Sequence, residues 1–127
     1  MEILPKQPSM KGPAEMFTGD VWFDVIVKGE EPSRVRVNTV RFTPGARTAW
    51  HSHAVGQALH VTDGIGLVQA RGGEVTVIRP GDTIHTPPGD WHWHGAAPGN
   101  FMAHTAIWEG DGAHWGDHVT DDEYNAR

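Results

Sequence analysis

Glycine and proline divide this chain into short segments, and this division limits the possible folds more than any other sequence feature. The 127 residues include 16 glycines and 9 prolines. The segments between them are rich in Val, Thr, Ile, Phe and Trp, which favour strands, and no long repeat of helical period is present. Short strands separated by closely spaced turns predict an all-β sandwich or small barrel. A chain of this length forms most simply one domain, over residues 1–127, with a single core.

Several elements can be placed along this domain. The predicted strands are Val21–Val27, Arg34–Phe42, Ala58–Val61, Ile65–Ala70, Val75–Ile78, Thr83–Thr86, Trp91–His94 and Met102–Trp108. Residues 1–14 are predicted to form an extended arm that pairs with or covers a sheet edge. Apolar residues change face within the Arg34–Phe42 strand, which indicates either a bulge near Asn38 or a strand covered on both sides. Thr120, followed by three acidic residues, predicts one terminal helical turn.

Charge and composition exclude several classes of protein. The chain carries 16 acidic and 10 basic residues, for a net charge of −6, and has no basic cluster. This balance argues against a nucleic-acid partner. The absence of cysteine excludes disulfides, thiolate nucleophiles and zinc–thiolate sites. No signal peptide and no membrane-spanning apolar run is present, so we expect a cytoplasmic protein with no membrane partner.

Histidine is unusually frequent, with nine copies, and its spacing indicates a metal site. His51 and His53 are two residues apart, so on a strand both would point to the same face. Gln57 keeps that parity if the three intervening residues form only a local kink. His92 and His94 share a face of another predicted strand, and either could supply a fourth ligand. Such a set leaves coordination positions open for a substrate.

The segments that hold these residues resemble the two sequence blocks of the cupin superfamily. Residues 45–64 match the first block, with Gln57 where most cupins have Glu. Residues 81–96 match the second block, and its spacing selects His92 rather than His94 as the fourth ligand. The resemblance implies a single-domain cupin fold, a β-barrel of the jelly-roll type.

A narrower resemblance extends over nearly the whole chain. It is carried by KGPAEMFTG, PGARTAWHSH, PGDWHWHGAAP and HVTDDEY, which are similar to small single-domain bacterial cupins, including the manganese-dependent cupin hydroxynitrile lyases. The resemblance implies four metal ligands, His51, His53, Gln57 and His92, and two pocket bases, His104 and His94. The side chains expected to line the substrate pocket are Asn38, Val40, Met102 and Trp108.

The implied ligand set has a clear chemical consequence. Three imidazoles and one amide are neutral, so a bound divalent ion would keep its full charge and attract anions such as cyanide or a carboxylate. Nitrogen and oxygen ligands without sulfur suit Mn, Fe, Co, Ni or Zn. The resemblance favours one manganese ion, with iron as the next choice.

Three functions are compatible with such a site. The first is reversible cleavage of a cyanohydrin, with His104 or His94 moving the proton. The second is a Mn- or Fe-dependent dioxygenase or alkene-cleaving oxidoreductase, since open positions beside histidine ligands admit both O₂ and substrate. The third is a non-enzymatic, metal-dependent module that binds a small molecule.

The remaining aromatic residues bear on assembly. His60 has the parity opposite to its apolar neighbours and should face outward. Trp91 and Trp93 alternate with His92 and His94, so they should point away from the metal and cover the far face of the sheet. An apolar far face on a small barrel predicts a homodimer or homotetramer.

Overall fold

The structure, a computed structural model, describes residues 1–110 and 112–127 and confirms the all-β prediction. The elements in these residues are β1 (Met10–Lys11), β2 (Phe17–Thr18), β3 (Val21–Lys28), β4 (Val35–Phe42), β5 (Arg47–Thr48), β6 (His51–Ser52), β7 (Gln57–Gly64), β8 (Gly66–Ala70), β9 (Thr76–Ile78), β10 (Thr83–Thr86), β11 (His92–Ala96), β12 (Met102–Glu109), β13 (His114–Trp115) and α1 (Asp121–Tyr124). Within these two ranges no helix is long and apolar enough to cross a membrane.

The strands form two antiparallel sheets. The first sheet has the order β1-β3-β4-β12-β7-β10. The second has the order β13-β6-β11-β5-β2, with β8 pairing to β11 and β9 pairing to β8. Neighbours in the first sheet come from distant parts of the sequence, so β12 lies between β4 and β7 and brings the second half of the chain against the first.

The core lies between the two sheets. Alternate residues of each strand point to the same face, and the apolar ones among the inward-facing residues form the core. The six-stranded sheet contributes Val21, Val40, Phe42, Leu59, Val61, Met102 and Ala106, and the second sheet and its loops contribute Ala46, Ile78 and Ala96. Residues from both sheets therefore share one continuous apolar cluster.

A second apolar cluster lies on the outer side of the second sheet, under the C-terminal segment. It contains Trp50, Leu67, Trp93, Val119 and Tyr124. The guanidinium of Arg47 donates to the carbonyl of Val119 and to Asp121, and the hydroxyl of Tyr124 donates to the carbonyl of Ala96. The predicted terminal turn is present as α1, with a capping box between Thr120 and Glu123.

This packing changes the interpretation of the far face. Trp93 does point away from the histidines, but it is fully buried under the chain's own C-terminal segment. That part of the surface is therefore covered without a second copy. The exposed apolar side chains of the six-stranded sheet lie elsewhere, at Trp22, Ile26 and Ile107.

Two details of the first sheet bear on the sequence-based expectations. The bulge lies in β3 between Val25 and Val27, opposite Val37 and Asn38, so β4 itself alternates regularly. Of the predicted N-terminal arm, Met10–Lys11 pairs with the edge of β3. Residues 1–9 are exposed and form no strand.

Candidate metal centre

Two paired strands bring the first histidines together. His51 lies in β6 directly opposite His92 in β11, and His53 follows β6 by one residue. The side chains of His51, His53 and His92 are all buried, with exposed fractions of 2%, 7% and 1%. Pairing across the sheet therefore joins the two sequence motifs at one point.

A tight turn places Gln57 beside this histidine group. The backbone N–H of Gly56 donates to the carbonyl of His53 (3.2 Å), and Gly56 has a φ of +83°. A Cβ atom at Gly56 would lie 2.8 Å from the carbonyl oxygen of Thr86, so both the conformation and the space require glycine. Gln57 begins β7 immediately afterwards, and the expected local kink is this turn.

Each of three histidines offers one ring nitrogen to a common point. These three nitrogen atoms, from His51, His53 and His92, all lie within 4.8 Å of one another. The Nδ1–H of His51 donates to the carbonyl of Ala49 (2.9 Å), and that of His92 donates to the carbonyl of Asp90 (3.1 Å). A carbonyl only accepts, so these bonds fix Nδ1 as the protonated nitrogen and leave the Nε2 lone pair free.

Gln57 lies at bonding distance from the same group. Its Oε1 atom is 3.2 Å from the Nε2 of His92. Two ligand atoms that each lie roughly 2.1 Å from one ion, at right angles, are about 3 Å apart. Two lone pairs facing each other at this distance repel, and a cation between them would remove the repulsion, so the pair fits two adjacent metal ligands.

Burial keeps these histidines neutral. Loss of hydration on burial lowers the pKa of His51 well below its usual value, and the proximity of His92 lowers it further. Burial, with a smaller contribution from His92, lowers the pKa of His53 to about 4. Burial also lowers the pKa of His92. Neutral imidazoles with free lone pairs are the form that binds a metal.

His53 gives the strongest indication that this group binds a cation. Both of its ring nitrogens are buried and have no hydrogen-bond partner among residues 1–110 and 112–127. An unpartnered buried polar group costs about 1–3 kcal/mol, and coordination of a cation would remove that cost. Within the described chain, three histidines therefore form a group that fits a divalent metal ion.

Two further histidines lie next to this group. His94 and His104 are buried, and the Nε2 of His104 is 3.0 Å from the Nδ1 of His94. Burial lowers the pKa of His104 to about 4. Burial and then the neighbouring His104 lower the pKa of His94 well below its usual value. The pair is therefore neutral, and one imidazole donates a hydrogen bond to the other.

The candidate metal-ligand group (His51, His53, Gln57 and His92) and the histidine pair (His94 and His104) lie at one cavity of about 300 Å³. Its walls include His51, His53, Gln57, His94 and His104, together with the predicted pocket residues Asn38, Val40 and Trp108. Met102 was expected to line the same pocket, but it lies fully buried in the core, where its side chain approaches Gly66.

A further part of the cavity wall, which we call the mouth, is formed by residues from the first strands and from near the C-terminus. The sequence analysis did not identify these residues. The additional lining residues include Pro13, Met16, Phe17, Phe23 and Trp115. The indole of Trp115 stacks on the imidazole of His51, with ring centroids 4.6 Å apart and an angle of 26°. No periodic pattern marks these residues, and Trp115 lies in a mostly polar segment.

Two facing antiparallel sheets around a histidine-lined cavity define a cupin. The family described as cupin domain matches residues 38–112, and the chain belongs to this family. It is 50% identical over 129 residues to the (R)-mandelonitrile lyase of Granulicella tundricola, with 98% of each chain covered. The predicted family and fold are thereby confirmed.

Solved structures show the same architecture. A cupin-like protein from Thermotoga maritima is 39% identical and has a TM-score of 0.88, over 99% of this chain and 96% of that chain. A polyketide cyclase from Streptomyces resistomycificus is 16% identical and has a TM-score of 0.73, over 98% of this chain and 90% of that chain. The second similarity concerns the fold alone.

Proposed function

We propose that this protein is a manganese-dependent lyase that reversibly cleaves a cyanohydrin into a carbonyl compound and hydrogen cyanide. One observation carries the proposal: the three-histidine group and a second, neutral histidine pair lie at one cavity. The 50% identity to an (R)-mandelonitrile lyase over 98% of the chain supports this reaction over others. The resemblance favours manganese, and nitrogen and oxygen donors without sulfur are compatible with it.

The ligand residues hold the metal in this proposal. His51, His53, His92 and Gln57 supply three imidazole nitrogens and one amide oxygen, none of them charged. When bound, the ion supplies Lewis acidity and a full double positive charge that stabilises a developing oxyanion or cyanide. The carbonyls of Ala49 and Asp90 orient two of the imidazoles, as second-layer partners of metal ligands commonly do.

The histidine pair moves the proton. If His104 donates its Nε2–H to the Nδ1 of His94, the Nδ1 of His104 and the Nε2–H of His94 have no protein partner in the described chain. The Nδ1 of His104 can then accept the hydroxyl proton of the cyanohydrin. The electrons of the O–H bond form the carbonyl, the C–C bond breaks, and its electron pair leaves with cyanide. The proton then passes to cyanide, which completes the balance.

The apolar mouth sets the kind of carbonyl compound. Phe17 and Phe23 line the cavity, and the rings of Phe17 and Trp115 are 6.1 Å apart. Apolar and aromatic walls around a few polar groups favour a ligand with an aryl or alkyl substituent. Such walls also exclude water, which strengthens the electrostatic interactions at the reacting oxygen.

The test combines metal analysis with turnover. Protein loaded with Mn(II) is expected to release benzaldehyde from mandelonitrile, and a His51→Ala, His53→Ala double variant is expected to lose both the bound metal and the activity. His60→Ala is the matched control, because His60 is exposed on β7, outside the cavity lining. Activity that persists in the double variant contradicts a role for the metal. Oxygen consumption with styrene-type substrates would favour the oxidoreductase hypothesis instead.

The same proposal includes self-association. We expect a homodimer or homotetramer, supported by three exposed apolar side chains of the six-stranded sheet: Trp22, Ile26 and Ile107 are 43%, 48% and 41% exposed. Sedimentation of the wild type and of a Trp22→Glu, Ile107→Glu variant tests it. A monomeric wild type at micromolar concentration contradicts it.

A further inference from the structure

The cavity wall formed by β4 and β12 carries two polar groups that the proposed reaction does not use. These are the carboxamide of Asn38 on β4 and the indole N–H of Trp108 on β12, and both residues line the cavity. Asn38 lies directly opposite Ala106 across the β4–β12 pair, and Trp108 is two residues further along on the same face. Such diagonal neighbours have Cβ atoms about 7 Å apart, so long side chains there can reach a common ligand atom.

Neither polar group is satisfied by the described protein. The Nε1 atom of Trp108 is buried and has no hydrogen-bond partner among residues 1–110 and 112–127. The carboxamide of Asn38 makes no hydrogen bond to those residues either, although it is half-buried beside Val40 and Ala106. For the buried indole N–H of Trp108 the lack of a partner costs about 1–3 kcal/mol, so a ligand that accepts from it, and that also pairs with the nearby Asn38 carboxamide, would be favoured.

The donor and acceptor properties of the two groups select the ligand. The indole N–H is only a donor, whereas a carboxamide offers one acceptor and two donor positions. A hydroxyl group complements both, because its oxygen accepts from the indole N–H while its proton is donated to the carboxamide oxygen. An ether oxygen could satisfy only the donors, and an apolar substituent could satisfy neither group.

The position of Trp108 connects this wall to the metal-ligand group. The ring centroid of Trp108 is 5.9 Å from that of His53. Across the β12–β7 pair, Trp108 lies directly opposite Gln57. A small molecule that reaches the ligand group with one oxygen can therefore place a substituent against Trp108 and Asn38. The remaining walls of the cavity, at Phe17 and Phe23, are apolar and suit the carbon skeleton between them.

We propose that Asn38 and Trp108 form a hydroxyl-recognition subsite, so that the preferred ligand is an aryl or alkyl carbonyl compound, or its cyanohydrin, with a second hydroxyl group. The identity of the reacting group rests on the proposed function. The subsite itself follows from two polar groups in one cavity wall that lack hydrogen-bond partners among the described residues.

The experiment compares non-reacting ligands that differ by one group. Benzyl alcohol, 3- and 4-hydroxybenzyl alcohol and their methoxy analogues are titrated into Mn(II)-loaded protein by calorimetry. The better hydroxybenzyl isomer is expected to bind about tenfold more tightly than benzyl alcohol, which corresponds to about 1.4 kcal/mol. The methoxy analogue is expected to lose most of this preference.

Variants assign the preference to the two residues. Trp108→Phe removes the N–H and keeps a ring, and Asn38→Leu replaces the amide with an apolar group of similar shape. Each is expected to reduce the tenfold preference for the hydroxybenzyl isomer over benzyl alcohol to about twofold or less. Thr39→Val is the matched control, because Thr39 is adjacent to Asn38 on β4 and points to the opposite face. Circular dichroism confirms folding of each variant.

The outcomes separate this inference from the proposed function. If the wild type shows no hydroxyl preference, or if neither Trp108→Phe nor Asn38→Leu reduces it, the subsite is rejected, even when mandelonitrile is cleaved. If the preference is present and depends on both residues but no cyanohydrin is cleaved, the subsite stands and the lyase proposal is rejected.

Discussion

The two faces of β11 contrast sharply although they belong to the same five residues. On the inner face, His94 has a buried nitrogen without a partner among the described residues, and the Nε2 of His92 faces another lone pair. On the outer face, the indole N–H of Trp93 donates to the Oε1 of Gln69 (2.8 Å), and its ring packs 5.7 Å from that of Tyr124. The polar side chains of the inner face thus have nitrogen atoms without partners among the described residues, whereas the indole N–H of the outer face is hydrogen-bonded.

This difference separates function from stability within one strand. Satisfied groups around Trp93 contribute to folding through burial and hydrogen bonding. Unsatisfied groups on the histidine face reduce stability unless a ligand completes them, and such local inconsistency is expected at functional sites. Substitutions on the two faces should therefore affect different measurements.

The largest expected effect is on the inner side of the barrel, at His53. His53→Ala removes a metal ligand, so we expect metal content to fall and cyanohydrin cleavage to decrease by about a thousandfold, equivalent to about 4 kcal/mol in the barrier. Because both ring nitrogens of His53 lack partners among the described residues, unfolding of the metal-free protein in urea should be little affected. A large decrease in the free energy of unfolding of the metal-free His53→Ala variant would show that the inner side also contributes to stability, and would contradict this separation of function from stability.

The outer face should show the opposite pattern. Trp93 is fully buried, and Trp93→Ala is expected to lower the free energy of unfolding by about 3–5 kcal/mol. At temperatures where the variant is still folded, its metal stoichiometry should equal that of the wild type. Loss of metal from a variant that is still folded would contradict the separation.

Lowering the pH should destabilise the metal-free protein, because the buried histidines of the inner side must become protonated. Burial lowers the pKa of His53 and of His104 to about 4, whereas histidines of the unfolded chain titrate near 6.5. Between these values the unfolded state binds more protons, so stability falls as the pH falls, by about 1.4 kcal/mol per pH unit for each such histidine. Urea unfolding with a chelator at several pH values measures this slope.

A single substitution identifies the source of the acid effect. His104→Gln should reduce the slope by about one proton, while His60→Ala, on an exposed residue, should leave it unchanged. An unchanged slope in His104→Gln would show that His104 is not neutral in the folded protein.

The smallest expected effect tests the charge of the ligand set. Gln57→Glu keeps an oxygen ligand and adds one negative charge. Metal binding should become tighter, and affinity of the loaded protein for cyanide should fall by about tenfold, because the net positive charge at the site is halved. Spectroscopic titration with cyanide measures this change, and equal cyanide affinity in both proteins would contradict a role for ligand charge.

The sequence predicted most of the metal-ligand group because short-range rules govern it. The parity of His51 and His53 and the turn before Gln57 operate within a few residues, whereas His92 was selected by the resemblance of residues 81–96 to the second cupin block and is brought to His51 by strand pairing. Parity was insufficient for Met102. It lies on the same strand as His104, but a register shift separates Ala103 from His104, and residues along one strand reach different depths. Parity fixes a face and not a depth, so Met102 lies in the core and His104 in the cavity.

The mouth could not be predicted for a different reason. Phe17 and Trp115 lie on two-residue strands near opposite ends of the chain, and no local pattern indicates that their rings meet. Their contact depends on the pairing of many intervening strands. The aromatic rim is therefore a property of the whole tertiary structure.

This rim also restrains one of the candidate ligands from the far end of the chain. The indole of Trp115 stacks on the imidazole of His51, and β13 pairs with β6. A chain shortened before β13 would keep all four candidate ligand residues, from His51 to His92, but would lose this stack and part of the cavity wall. The orientation of a candidate ligand therefore depends on a strand that follows every ligand residue in the sequence.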